Sequence, residues 1–197
     1  NIGGVARAMK NMGLTRLVLV EPRLFPHHEA DARASGANDI LEKAQVVATL
    51  EDALVGCNLV LGTSARDRRI PWPLLDPREC GTKVVEEAAG GAEIALVFGR
   101  EDSGLTNEEL QRCHYHVHIP SDPEFSSLNL GAAVQVLSYE VRMSWLAAQG
   151  QPSKVEKDEV ASTKSGELAT MDELERFYEH LEQTLVAIEF LDPEKPR

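Results

Sequence analysis

The segment Ile119-Pro-Ser-Asp-Pro-Glu-Phe-Ser-Ser-Leu-Asn-Leu130 sets three hydroxyls, two carboxylates and one side-chain amide between a β-like run and a long apolar-periodic stretch. Pro120 and Pro123 keep regular structure out of it. A helix is expected to begin near Leu128 and to continue through Gln135, Tyr139 and Arg142 towards Gln149. The backbone N–H groups of Ser127, Leu128 and Asn129 would then stand at a helix start, where unpaired donors and the helix dipole favour polar or anionic ligand groups. Alone, this describes a generic ligand site.

Other chemistry-bearing patterns are weaker. His114, His116 and His118 alternate along one face of a strand-like run, opposite Cys113, Tyr115 and Val117. Histidines at i and i+2 can hold zinc. No acid or cysteine is spaced to complete such a site, so half-buried or exposed strand histidines are the plainer reading, and no metal is expected. His27-His28, after Pro26, reads as a loop. Arg66-Asp67-Arg68-Arg69 is either a solvated loop or a contact for phosphates. Neither G-x-G-x-x-G after a strand nor G-x-x-x-x-G-K-[ST] occurs, which removes a nucleotide-dependent dehydrogenase or kinase of the usual kind.

Two further segments make the first one specific: Asn1-Ile-Gly-Gly-Val-Ala-Arg-Ala-Met-Lys-Asn-Met-Gly-Leu14, and Leu96-Val-Phe-Gly-Arg-Glu-Asp-Ser-Gly-Leu-Thr106. In order and content the three resemble the motifs of the SpoU (TrmH-like) branch of the SPOUT RNA 2′-O-ribose methyltransferases. Gly62-Thr63-Ser64-Ala65-Arg66, Phe177–Leu181 and Leu191–Glu194 extend the resemblance across nearly the whole chain. They are similar to the group that methylates the ribose at position 32 of tRNA anticodon loops. The resemblance implies an α/β parallel-sheet fold with a deep C-terminal trefoil knot and a C-terminal helical extension. It also implies a homodimer with its active site near the subunit interface, S-adenosylmethionine (SAM) as methyl donor and S-adenosylhomocysteine as product.

Residue by residue, the resemblance places Arg7 at the ribose hydroxyl and Asn1 in the same loop. Glu101 and Asn129 lie inside the motifs, as candidates for fixing loops or substrate. Cofactor contacts fall on Thr63, Ser64 and Ala65, on Gly99, on Ile119, and on Ser126, Ser127 and Leu128. A guanidinium stays protonated and is a poor proton acceptor. Arg7 is therefore assigned to orienting the ribose-phosphate and stabilising developing alkoxide charge. A ribosomal RNA target, or a catalytically silent RNA-binding module on the same fold, are the alternatives. Arg7, Asn1, Glu101 and Asn129 argue against the silent one.

The elements that must position these groups are legible in outline. Strand-length apolar runs recur at Arg16–Val20, Val46–Ala48, Leu59–Leu61, Ile94–Phe98 and His116–Ile119, with helix-period segments between, as in an α/β parallel sheet. Ile2, Val5, Ala6 and Met9 mark one helical face, and Gly13 stands where a C′ residue belongs. Asp76-Pro77-Arg78-Glu79 and Thr106-Asn107-Glu108-Glu109 read as capping boxes. A strand is expected ahead of Asn1 to feed the first helix.

Residues 1–150 form the expected catalytic domain. Residues 151–169, rich in Ser, Lys, Glu, Gly and Pro, read as a flexible linker. In residues 170–197, Thr170 caps an amphipathic helix with Leu174, Phe177, Tyr178, Leu181, Leu185 and Ile188 on its apolar stripe, a face that needs a packing partner.

Three cysteines without CxxC spacing, and no transmembrane-length apolar run, fit reduced, buried thiols in a cytoplasmic protein. The net charge of −12 is opposed to RNA binding, as is the acidic Asp102-Ser103 in the Gly99–Gly104 loop. The acid, however, crowds the C-terminal part, while Arg7, Lys10, Arg16, Arg66, Arg68 and Arg69 lie in the N-terminal half.

Overall fold

The computed structural model describes residues 1–64, 73–150 and 169–192. Among them the elements run α1 (Ile2–Asn11), β1 (Val18–Val20), α2 (His28–Ala34), α3 (Asn38–Glu42), β2 (Gln45–Val47), α4 (Leu50–Leu54) and β3 (Leu59–Thr63). There follow β4 (Leu74–Leu75), α5 (Pro77–Ala89), β5 (Ile94–Val97), α6 (Asn107–Gln111), β6 (Tyr115–Val117), α7 (Leu130–Ala148) and α8 (Met171–Ala187). The chain divides into two compact units, Asn1–Lys154 and Val155–Arg197.

The first unit is α/β, and all its strand pairs are parallel. The strands form two sheets: β1 beside β2, and a four-stranded sheet ordered β4-β6-β3-β5. All five expected strands are present. Leu74–Leu75, which is too short to stand out as a periodic run, adds a sixth as the edge beside β6. The central strand β3 is buried along Leu59, Val60, Leu61 and Gly62, as a strand covered on both faces must be.

Two cores share one helix. Val134 of α7 closes a cluster with Val5, Ala6 and Met9 of α1, Ala34 of α2, and Ile40 and Leu41 of α3. Leu137, one turn on, closes a second cluster with Leu59, Leu61, Val117 and Cys80. Packed on α1 along one side and α5 along the other, α7 has to be apolar over most of its surface.

The capping reading holds in detail. Asp76, Thr106 and Thr170 each accept from the backbone N–H of the residue three on, and Glu79, Glu109 and Glu173 return the bond. Gly13 follows α1 with φ +80°, a conformation that costs glycine nothing.

Three expectations shift. Helix α7 starts at Leu130, with Asn129 as N-cap accepting from the Gly131 N–H at 2.9 Å. A side chain able to cap outcompetes two further residues of helix. His27 and His28 are no loop: His27 is the N-cap of α2, its Nδ1 accepting from Glu29, and His28 is the first helical residue. His116 is buried, not half-buried or exposed, because β6 is inserted between β4 and β3. Of the thiols, Cys80 and Cys113 are buried and Cys57 is partly exposed. Burial pushes Cys80 up to about 12 and Cys113 to about 11, so both stay protonated.

Most of the expected linker, residues 151–168, lies outside the described residues. In the second unit α8 carries Phe177, Tyr178 and Leu181 at 55%, 60% and 39% exposure, with Leu174 and Leu185 half-buried. No helix among the described residues is long and apolar enough to cross a membrane.

Candidate active site

Because β3, β5 and β6 are parallel neighbours, their carboxyl ends open on the same edge of the sheet, where open α/β sheets hold ligands. Thr63 and Ser64 end β3, Gly99 follows β5 by two residues, and Ile119 follows β6 by two. Sheet register puts Gly62 beside Val97 and Thr63 beside Val117. Side chains reinforce that alignment. The Thr63 Oγ1 hydroxyl donates to the Val97 carbonyl at 3.1 Å, the Ser64 N–H donates to the Val117 carbonyl at 3.0 Å, and His118 Nδ1 lies 3.2 Å from the Ser64 carbonyl. Seven of the eight expected cofactor positions therefore lie on three adjoining loops; Ala65 lies outside the described residues.

Gly99 is forced by its surroundings. A Cβ there would stand 2.1 Å from the carbonyl carbon of Gly104 and 2.2 Å from the Leu105 nitrogen. The loop after β5 turns back on itself, Arg100 and Gly104 exchanging backbone bonds of 2.7 and 3.3 Å, and Gly104 adopts φ +71°. The close approach that requires glycine is thus internal to the loop. Arg100 also reaches Glu109 of α6 at 3.1 Å, tying the loop to the helix that follows.

The third loop, residues 118–129, is held at both ends. Ser121 Oγ donates to the Ser126 carbonyl at 3.0 Å. The amides of Ser127 and Leu128 donate to nothing among the described residues, and both residues are exposed. They precede the helix rather than open it, but they remain free donors beside the strand ends.

At the far end of this loop three sequence-distant residues meet. Asn1 Nδ2 donates to Glu101 Oε2. Asn129 Nδ2 donates to Glu101 Oε1 at 3.0 Å and to Asn1 Oδ1 at 3.1 Å, while its own Oδ1 caps α7. Both carboxylate oxygens of Glu101 are engaged, and each of the three motif segments supplies one corner. Arg7 lies on α1 six residues from Asn1, about 9 Å along the helix axis. It is exposed and makes no ion pair or hydrogen bond among the described residues.

Sequence reasoning missed His118 as a brace between two site loops. Its partner Ser64 is 54 residues away and is met only through the sheet order. The Asp102–Ser103 tip, acidic and exposed, bonds to itself, Ser103 Oγ donating to Asp102 Oδ1 at 2.9 Å. His114 and His118 are likewise taken up by backbone, His114 Nδ1 accepting from the Val60 N–H at 3.0 Å. Among the described residues no cluster of three or more His, Cys, Asp or Glu is arranged to hold a metal ion.

The chain is similar to known proteins in sequence and fold. Residues 1–139 match the SpoU rRNA methylase family, and residues 172–197 match the C-terminal domain of the tRNA methyltransferase TrmJ. The tRNA (cytidine/uridine/adenosine-2′-O-)-methyltransferase TrmJ of Pseudomonas aeruginosa strain UCBPP-PA14 is 72% identical over 197 residues, covering 100% of this chain and 77% of that protein. A probable methylase family protein from Haemophilus influenzae Rd KW20 superposes with a TM-score of 0.72 at 42% identity, over 98% of this chain and 76% of its own. TrmJ from Z. mobilis ZM4 superposes with a TM-score of 0.64 at 33% identity, over 98% and 77%. With the three motifs converging on one edge of a parallel sheet and kinship along its full length, this chain belongs to the SpoU methylase family, in its TrmJ branch, and is an RNA methyltransferase.

Proposed function

We propose that the chain methylates the ribose 2′-oxygen of cytidine or uridine in tRNA, at anticodon-loop position 32, with SAM as donor. The observation that carries this reading is the Asn1–Glu101–Asn129 triangle, which ties the three motifs together at the start of the helix that also carries Arg7. The relatives named for tRNA 2′-O-methylation supply the substrate class.

Thr63, Ser64, Gly99, Ile119, Ser126, Ser127 and Leu128 would hold the donor, with Ala65 added by the family motif. The free amides of Ser127 and Leu128 and the aligned ends of β3, β5 and β6 fit an adenosyl group that needs backbone partners on several sides. When bound, SAM supplies an electrophilic methyl on a sulfonium, leaving S-adenosylhomocysteine. The protein's task is alignment of the 2′-oxygen and stabilisation of charge, with no metal and no covalent enzyme intermediate.

Arg7, permanently cationic and unpaired, orients the ribose-phosphate and stabilises negative charge growing on the 2′-oxygen. Glu101, with both oxygens already accepting, acts as an anchor for Asn1 and Asn129 rather than as a proton acceptor. Together the three hold α1, the loop after β5 and the start of α7 in one register, which is what near-attack geometry demands.

Further parts of the reading rest on family membership. A deep C-terminal trefoil knot is one of these parts. A homodimer completes the site. Three cysteines in no disulfide are what a reducing cytoplasm permits. Mapping ribose methylation in total tRNA and ribosomal RNA, from cells with and without the protein, tests the proposal. Loss of the 2′-O-methyl group at tRNA position 32 is expected. An unchanged tRNA pattern with a lost ribosomal methyl would overturn it in favour of the ribosomal alternative.

A further inference from the structure

We propose that Phe125 is the platform on which the base of the target nucleotide stacks. The inference rests on the RNA substrate proposed above. Phe125 is 83% exposed, more than any other large apolar side chain among the described residues. Aromatic residues make up only 5% of the chain. Within the three motif segments the sole other aromatic is Phe98, which packs against both cores. A phenyl ring this exposed, placed inside a motif loop, has both faces available for stacking.

Local bonds fix the backbone of the loop around the ring. Asp122 forms a turn in which its Oδ1 accepts from the Glu124 N–H at 2.8 Å and its carbonyl accepts from the Phe125 N–H at 3.1 Å. Immediately afterwards Ser126 is tied to Ser121, and Ser127 and Leu128 present their free amides. Four residues on, Asn129 is fixed to Asn1 and Glu101. Consecutive Cα atoms are ~3.8 Å apart, so Phe125 lies within roughly 15 Å of that triangle however the loop bends.

A ribose whose 2′-oxygen is presented at the site carries its base away from the reacting atom, and a single-stranded loop nucleotide can splay that base onto an aromatic face. Stacking is indifferent to base identity, since every base has a π-face. That property suits an enzyme acting on both cytidine and uridine. Aliphatic Leu128, also exposed at 39%, cannot provide a planar surface.

The test is single-turnover methylation of an unmodified tRNA transcript, and of the same transcript lacking the base at the target nucleotide. Wild-type protein is compared with Phe125→Leu and Phe125→Trp. On the intact transcript Phe125→Leu should lower kcat/KM by about ten- to a hundredfold, while Phe125→Trp should remain within severalfold of wild type. On the abasic transcript Phe125→Leu and wild type should be equally slow, because the partner of the ring is gone. SAM affinity, dimer mass and thermal midpoint should not change.

Phe125→Leu at the wild-type rate overturns the inference alone. So does an equal loss on the abasic transcript. A parallel fall in SAM affinity would assign the ring to the donor pocket, and dissociation of the dimer would assign it to a second copy; either overturns the inference. Wild-type protein that methylates no tRNA overturns the proposed function and this inference together.

Discussion

Arg7 is a cation with no counter-charge among the described residues, on a helix whose opposite face is buried as Val5, Ala6 and Met9. Stability alone gives such a residue little reason to be arginine. If it stabilises charge on the ribose oxygen, Arg7→Ala should cut turnover by about a hundredfold or more. SAM affinity and thermal midpoint should remain at wild-type values, because the donor loops and the α1 core face are untouched. Single-turnover methylation with parallel calorimetry separates these effects. A variant that methylates at the wild-type rate would sink the assignment. That Arg7 could be singled out in the sequence came from motif resemblance, since an exposed helix arginine has no physical signature of its own. Glu101 differs: its double engagement is plain in three dimensions but invisible along the chain, where its partners are 100 and 28 residues away.

Helix α6 anchors the loop that follows Gly99, and it is only five residues long, so its cap carries much of its stability. Partial burial would raise Glu109, but hydrogen bonds from the Thr106 backbone and from Arg100 outweigh it and hold the carboxyl below its ordinary 4.5. A depressed folded value means that the contribution is complete above that ordinary value and is lost as pH falls through the folded one. Glu109→Gln should therefore lower the thermal midpoint at about pH 6, and the deficit should shrink near pH ~3. Thermal unfolding at the two pH values checks this, and an equal deficit at both would show that the charge contributes nothing. The capping box was readable in advance because its signal is local: Thr106 and Glu109 are three residues apart. The start of α7 was misplaced by two residues for a related reason. Asn129 competes to cap, and its choice is reinforced by bonds to Asn1 and Glu101 that no local window contains.

The first unit carries apolar side chains in water, among them Trp145 at 42%, Tyr139 at 47% and Leu74 at 60%. The homodimer of the proposed function has a direct test. Light scattering at micromolar concentration should report twice the chain mass, and a monomer there would count decisively against it. The net charge of −12 sits uneasily with a polyanionic substrate if taken as a whole-molecule property. Its distribution is uneven, although the first unit is also net negative and Lys10 is ion-paired with Asp39. α8 contributes Asp172, Glu173, Glu175, Glu179 and Glu182 to the second unit, whereas Arg7 and Lys10 share α1 with the candidate site.

By itself the sequence determined the class of fold, the strand runs, the caps, and the three segments around which the site is built. Each of these depends on residue periodicity, on interactions within a few positions, or on motifs whose order survives in one dimension. Tertiary structure decided what those segments do to one another. Only the order β4-β6-β3-β5 makes the ends of β3, β5 and β6 neighbours along their shared edge, buries His116 and turns His118 into a brace on Ser64. Only the folded chain shows that Gly99 is glycine because its own loop presses against it. The reason is the same throughout: hydrogen bonds and packing between residues dozens of positions apart are set by chain topology, on which local pattern has no purchase.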